Sequence, residues 1–276
     1  MKETSMPSHP GLQRTRIAII TGAGSGIGAA VARQLAALGW KVVLGGRTEE
    51  KLNVIASAIR AAGGSAEAVV CDVTLAADVA RLVAAAGPVL DAMIHSAGQG
   101  HCLTIDELDE DEFRQTLDVA VLGAFLTTKA ALPKLRATQG GCGHVIQICS
   151  LASGGTWNRE IGYGTAKGAQ LKFTLHLEAQ LKDDAAKGGR VIHAHAVCPG
   201  TVDTPFWNRI PERIIEPDLI LLADEVAWLV TEIIKNPLVT AAGLSFVKPR
   251  KEVVIKSHPP FERWPNVIAI AHESHP

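Results

Sequence analysis

Short apolar runs alternate along the chain with longer stretches of helical periodicity. Arg16-Ile-Ala-Ile-Ile20 reads as a strand, and the alanine- and leucine-rich stretch Ala29–Leu38 as a helix closed by Gly39. Lys41–Leu44 is a second strand, Ala66–Val73 a third that ends in an acid, and Leu90–Ile94 a fourth, preceded by a helix over Asp78–Ala86. Glu107–Leu135 is mostly helical, with Pro133 near its end. Val145–Ile148 is an apolar strand, and Tyr163–Glu178 a helix without proline. Arg190–Cys198 is a sixth strand ending at Pro199-Gly200, Ala223–Lys235 a helix and Gly243–Val247 a last strand. Thr201–Leu222, with three prolines and bulky apolar groups, reads as a loop or small helices over the strand edge.

Strands that alternate with helices predict a parallel sheet joined by right-handed crossovers, with helices on both faces. The expected fold class is therefore α/β: a single doubly wound Rossmann-type domain. Residues 1–13 read as a flexible N-terminal tail, 14–250 as the main folded domain and 251–276 as a proline-rich C-terminal extension. The tail lacks the apolar core of a signal peptide, and no unbroken apolar run approaches bilayer length. A net charge of −1 without a basic stripe argues against nucleic acid as a partner. The five cysteines are odd in number and show no C-x-x-C spacing, so neither a disulfide framework nor a zinc site is indicated, and a cytoplasmic location is expected. His193 and His195 share one strand face but have no evident third ligand, so polar residues at a sheet margin explain them and no metal site is assigned.

Candidate chemistry gathers at the carboxyl ends of the strands, where ligands of such sheets bind. The first strand runs into Thr21-Gly22-Ala-Gly24-Ser25-Gly26-Ile27-Gly28 and then a helix. A helix N-terminus entered through glycines offers free N–H groups and a favourable dipole to phosphate, although the spacing is not G-x-G-x-x-G. At the tip of the second strand Arg47 stands where an acid would bind a ribose 2′-hydroxyl; an arginine there accommodates a 2′-phosphate, so NADP(H) is expected over NAD(H). Glu49 and Glu50 start the next helix. Asp72 and Val73 close the third strand, and Ala97 and Gly98 follow the fourth. After the fifth comes Ser150, then Tyr163 and Lys167 four residues apart on one helical face. A cation beside a phenol favours phenolate and makes a tyrosine able to exchange a proton near neutral pH. No G-x-S-x-G elbow is present, which argues against a serine hydrolase.

Taken in order, these motifs resemble the short-chain dehydrogenase/reductase family over about residues 14 to 247. Thr21-Gly22-x-x-x-Gly26-Ile27-Gly28 is similar to its cofactor motif, and His95-Ser96-Ala97-Gly98 to its Asn-Asn-Ala-Gly, with two replacements that affect loop packing more than chemistry. Ser150, Tyr163 and Lys167 match the family's catalytic residues. Pro199-Gly200-x-x-Asp-Thr204 resembles its proline-glycine motif, which implies that Thr204 touches the nicotinamide end of the cofactor. One position departs: Ala120 stands where the family has an asparagine taken to hold a water that carries protons from the lysine to bulk.

The resemblance implies hydride transfer between NADP(H) and a carbonyl or secondary alcohol. In it Tyr163 is the general acid/base, Ser150 orients the substrate oxygen, and Lys167 lowers the tyrosine pKa and holds the nicotinamide ribose. A rival reading, motivated by Ala120, is a cofactor-binding sensor or interaction protein with little turnover. Gly98–Leu103, Leu151–Glu160 and Thr201–Ile215 are the expected pocket walls; their Trp157, Phe206 and Trp207 suit an apolar or ring-bearing substrate. The family also implies a homodimer or homotetramer that pairs the helices of 107–135 and 163–178.

Overall fold

The computed structural model describes residues 14–209 and 220–236 and the strands Phe246–Lys248, Lys251–Val253 and Val267–Ile270. The expected tail, most of the expected extension and residues 210–219 lie outside the described residues.

The expected alternation is present. In chain order the elements are β1 (Ile17–Thr21), α1 (Gly26–Ala37), β2 (Lys41–Gly46), α2 (Glu49–Ala61), β3 (Ser65–Val70), α3 (Ala76–Ala85) and β4 (Ala92–His95). They continue with α4 (Glu110–Leu117), α5 (Gly123–Ala137), β5 (Gly143–Ile148), α6 (Ile161–Ala186) and β6 (Ile192–Pro199). Then come β7 (Val202–Asp203), β8 (Leu221–Leu222), α7 (Ala223–Lys235), β9 (Phe246–Lys248), β10 (Lys251–Val253) and β11 (Val267–Ile270).

The main sheet has the order β11-β6-β5-β4-β1-β2-β3 and every pair in it is parallel. Its central strands are covered on both faces, which is why they read as nearly continuous apolar runs. Alternate residues go to opposite layers. Ile20, Leu44, Ile94 and Ile146 pack with α1 and α7, whereas Ile19, Val43, Met93 and Val145 pack with α3, α5 and α6. From β1 the chain winds outward to β3, then returns to β4 on the other side of β1, so Thr21 pairs with His95 where the winding reverses. The crevice that such a switch point opens beyond the strand ends is where this fold binds ligands.

Two expectations change. The expected last strand ends in β9, which pairs antiparallel with β10 rather than joining the main sheet, and its residues 243–245 lie outside the described residues. The seventh strand is instead β11, from the segment read as an extension, lying parallel to β6. The helix expected over Glu107–Leu135 is continuous from Glu110 to Ala137 but carries a π turn at Asp118–Leu122, around Ala120. By length and average composition this helix could cross a bilayer. Here it buries Thr116, Thr127, Thr128, Ala131 and Leu135, which is the pattern of a core helix.

Candidate active site

The glycine turn after β1 is built by close backbone approach. Gly22 has φ +64°, and a Cβ on it would lie 2.9 Å from the backbone N and Cα of Ala97. A Cβ on Gly28 would lie 2.8 Å from the carbonyl carbon of Gly22. Both positions therefore exclude a side chain. The turn is locked to the loop after β4 by Thr21, whose Oγ1 accepts from the N–H groups of Ser96 (3.2 Å) and Ala97 (3.1 Å). Helix α1 begins at Gly26, three residues earlier than its composition indicates, and its N-cap Ser25 makes no side-chain cap bond. Its first N–H groups thus remain open to an anion. Gly26, at φ +52°, faces Thr204: a Cβ there would meet Thr204 Cβ at 3.1 Å. Pro199 ends β6 and Gly200 and Thr204 follow it, so the proline-glycine segment returns over the turn. This side-chain-free cradle fits the pyrophosphate of a dinucleotide.

Beyond β2 and β3, Arg47, Asp72, Thr74, Asp118 and Val119 line a cavity of about 470 Å3, together with Asp109, Asp111, Glu112, Arg114 and Gln115. Arg47 is exposed and makes no ion pair or hydrogen bond among the described residues, whereas Arg114 is paired with Glu110. Asp72 shapes its loop by accepting from Thr74 N–H (2.9 Å) and Oγ1 (2.7 Å). Val73 is buried beneath the π turn and would block a Cβ on Gly123. His95, fully buried, spans from the sheet to that turn: Nε2 donates to the Val119 carbonyl (3.3 Å) and Nδ1 lies 3.3 Å from Thr21 Oγ1. Burial holds it neutral, with a pKa lowered to about 3.

Ser150 follows β5 and caps a short 3₁₀ turn, Leu151–Ser153, its Oγ accepting from Ala152 N–H (3.1 Å). Tyr163 stands on the first turn of α6 with its phenol near the Ser150 hydroxyl. Its ring lies 5.5 Å from that of Phe206, which meets Trp207 edge-on at 5.2 Å. Burial pushes the phenol well above its ordinary pKa, and the neighbouring Ser150 hydroxyl only partly offsets this. Lys167 is buried one turn along α6, and burial lowers its pKa.

The ammonium lies against the Tyr163 ring, on the helical face that the i, i+4 spacing expects, but its hydrogen bonds go elsewhere. Lys167 Nζ lies over the Tyr163 ring, 5.9 Å from its centre, and donates to the Ile148 carbonyl (2.8 Å) and to Gln170 Oε1 (2.9 Å). Two strong acceptors claim the cation, so burial, not the lysine, dominates the phenol. His195 also differs from a simple margin residue: it is buried, and neither ring nitrogen has a hydrogen-bond partner among the described residues. Among the described residues no cluster fit for a metal ion occurs.

The three expected pocket segments are partly assembled. A bridge joins Leu103 to Glu160, linking the first two, and Phe206 brings the third against Tyr163; residues 210–215 lie outside the described residues. Trp157 folds over Gly155 and stays half-exposed. Sequence reasoning placed Thr21 in the glycine motif and Gly100 in a pocket wall without giving either its structural role, and it missed Gln147 and Gln170. Only the role of Thr21 carried a signal, as the last residue of a strand entering a glycine turn.

Comparison with known proteins gives a consistent picture. The family model for short chain dehydrogenases matches residues 16–214. A short-chain reductase protein, NovJ, from Streptomyces niveus is 35% identical over 201 residues, covering 72% of this chain and 73% of the relative. Among solved structures, an alcohol dehydrogenase from the archaeon Thermococcus sibiricus complexed with 5-hydroxy-NADP superposes with a TM-score of 0.72 at 28% identity, covering 81% of this chain and 92% of that one. A short-chain dehydrogenase/reductase from Burkholderia phymatum in complex with NAD gives the same TM-score at 26% identity, with 80% and 86% covered.

Proposed function

The chain belongs to the short-chain dehydrogenase/reductase family, oxidoreductases that act on CH–OH or C=O groups with NAD(P), and we propose that it is an NADP(H)-dependent carbonyl reductase or alcohol dehydrogenase with Tyr163 as its general acid/base. One observation carries this reading. The glycine cradle, the Thr21-anchored loop, the Ser150–Tyr163 pair and Thr204 converge at the carboxyl ends of β1, β4, β5 and β6.

The residues that hold the cofactor in this reading are Gly22, Gly24, Ser25, Gly26, Ile27 and Gly28 at the pyrophosphate. Arg47 takes the 2′-phosphate. Asp72, Val73, Ala97 and Gly98 line the adenosine side, and Pro199, Gly200 and Thr204 the nicotinamide side, beside Tyr163 and Lys167. The nicotinamide supplies or accepts the hydride. In reduction, the Tyr163 phenol gives its proton to the substrate oxygen as negative charge develops there, and in oxidation it takes one. Ser150 donates a hydrogen bond to the same oxygen, stabilising that charge. Lys167, cationic and buried, favours the phenolate left behind and holds the ribose. Phe206 and Trp207 give the pocket an apolar wall suited to a ring-bearing ketone or secondary alcohol. The protein works in the cytoplasm as a homodimer or homotetramer.

The test is NADPH oxidation against a panel of ketones, for the parent and Tyr163→Phe. Removing the phenol oxygen while keeping the ring is expected to cut turnover about a hundredfold or more and to leave cofactor binding intact. A variant within a fewfold of the parent rules out the assignment.

A further inference from the structure

Lys167 sits at the head of a buried chain of carboxamides. Its ammonium donates to Gln170 Oε1 (2.9 Å), Gln170 Nε2 donates to Gln147 Oε1 (3.0 Å), and Gln147 Nε2 donates to Thr128 Oγ1 (3.3 Å). Gln147 and Gln170 have no exposed surface at all, Thr128 has 2% and Lys167 4%. Donor chemistry sets the direction. An ammonium has only donors, so Gln170 turns its oxygen to the cation and its NH₂ to Gln147, which must do the same toward Thr128. Two amide dipoles therefore lie head to tail with their oxygen ends toward the charge, where water is excluded and such dipoles act strongly.

The other groups facing Lys167 include no carboxylate, although the thiols of Cys149 and Cys198 favour its charged form. These groups are the Tyr163 ring on α6, Cys149 after β5, Cys198 on β6 and His95 on β4. His95 is neutral, and among the described residues no carboxylate pairs with Lys167. A buried, unpaired ammonium tends to lose its proton. Ala120 lies buried on the π turn that packs against α6 and carries no polar side chain.

We propose that Gln170, oriented by Gln147 and Thr128, is the positioning residue that keeps the Lys167 ammonium charged and in place, in a pocket that gives it no carboxylate and no asparagine at 120. The carboxamides are not a proton wire, because neither takes up nor releases a proton near neutral pH. Their effect is on the charge and aim of the lysine, and its catalytic consequence rests on the role given to Lys167 under Proposed function.

The experiment reads Lys167 directly. Cofactor-free protein labelled at its lysine side chains is titrated by NMR, with the Lys167 signal assigned by its loss in Lys167→Met. Gln170→Met removes the acceptor at similar volume, and Lys167 is expected to deprotonate about one pH unit or more below the parent. Gln170→Glu replaces the acceptor with a carboxylate and is expected to move the titration above the parent. Gln147→Leu frees the Gln170 amide to turn, and a smaller downward shift is expected; it serves if Gln170→Met does not fold. In turnover, the basic limb of kcat/KM follows the same order. An unchanged Lys167 titration in the variants overturns the proposal, whatever their activity. A parent without turnover would instead sink the proposed reaction and leave the NMR result to decide this one.

Discussion

Gly100 faces the ring of Tyr163 so closely that a Cβ on it would lie 3.0 Å from the tyrosine Cγ and 3.2 Å from its Cβ, and nearer still to Cδ2. Gly100 is not among the residues with positive φ, so the cost of a side chain there is steric and falls first on Tyr163. The tyrosine ring is hemmed in on another side by Phe206, at 5.5 Å. Gly100→Ala is thus expected to displace the phenol from Ser150 and lower kcat at least about tenfold, because misplacing a catalytic group by an ångström can cost a hundredfold. Cofactor affinity, which depends on the distant glycine turn, should hold. Steady-state kinetics with a parallel cofactor titration checks this; a parent-like kcat would show that the ring has room to yield.

Tyr163 is the chain's only tyrosine, so the ultraviolet absorbance of tyrosinate reports this one residue. Burial raises its pKa in the folded protein above the unfolded value of about 10. The sign follows from linkage: a group whose folded pKa is raised contributes stability that is present below the unfolded pKa and is lost as pH rises through the folded one. Alkaline titration of the cofactor-free protein should therefore show little tyrosinate near pH 10, where a free phenol is half-ionised. The signal should emerge at higher pH, or together with unfolding followed by circular dichroism. Ordinary titration near pH 10 in a folded protein would mean that the phenol is solvated.

Much of this architecture was legible because parallel strands buried on both faces leave apolar runs, and because a glycine turn between strand and helix has few other uses. Limits arose where one residue type serves two conformations. Gly26 and Gly28 read as turn, yet α1 starts at Gly26, since a glycine that opens a helix looks the same as one that ends a loop. The π turn around Ala120 adds one residue to a helical ladder and leaves no mark on the periodicity. Gln147 and Gln170 were invisible because polar residues are ordinarily placed toward solvent, and only the fold shows that each satisfies the other inside. The seventh strand was missed for a different reason: Val267–Ile270 is a short apolar run after a proline-rich stretch, and nothing local links it to β6.

Arg47 lies exposed on the wall of a cavity that carries five carboxylates and one further arginine, Arg114, and it has no partner among the described residues, so its charge is free to meet a ligand. Only NADPH carries the 2′-phosphate that would use it. Arg47→Ala is expected to weaken NADPH roughly ten- to a hundredfold, the worth of one charge-assisted hydrogen bond, while changing NADH much less. Fluorescence titrations with both cofactors at one ionic strength measure the difference. Equal losses would show that the phosphate is not read here, and the nearby Asp72, Asp109 and Asp118 would then favour NAD(H).

Leu122 and Phe125 lie three residues apart on the outer side of the long helix, 39% and 42% exposed, and Ile161 at the start of α6 is 41% exposed. Residues three apart share a helical face, so Leu122 and Phe125 form one apolar stripe. The inner side of that helix already covers the sheet through Thr127, Thr128, Ala131 and Leu135. A helix apolar on both sides is normally covered on both, and two copies meeting about a two-fold axis would place each stripe against the other. Light scattering at micromolar concentration is therefore expected to find a dimer or tetramer. Phe125→Glu should shift it toward smaller species, since placing a charge where an aromatic side chain is buried at an interface costs about 2 kcal/mol or more. A monomeric parent refutes the assembly, and a variant of unchanged mass would move the contact to another face.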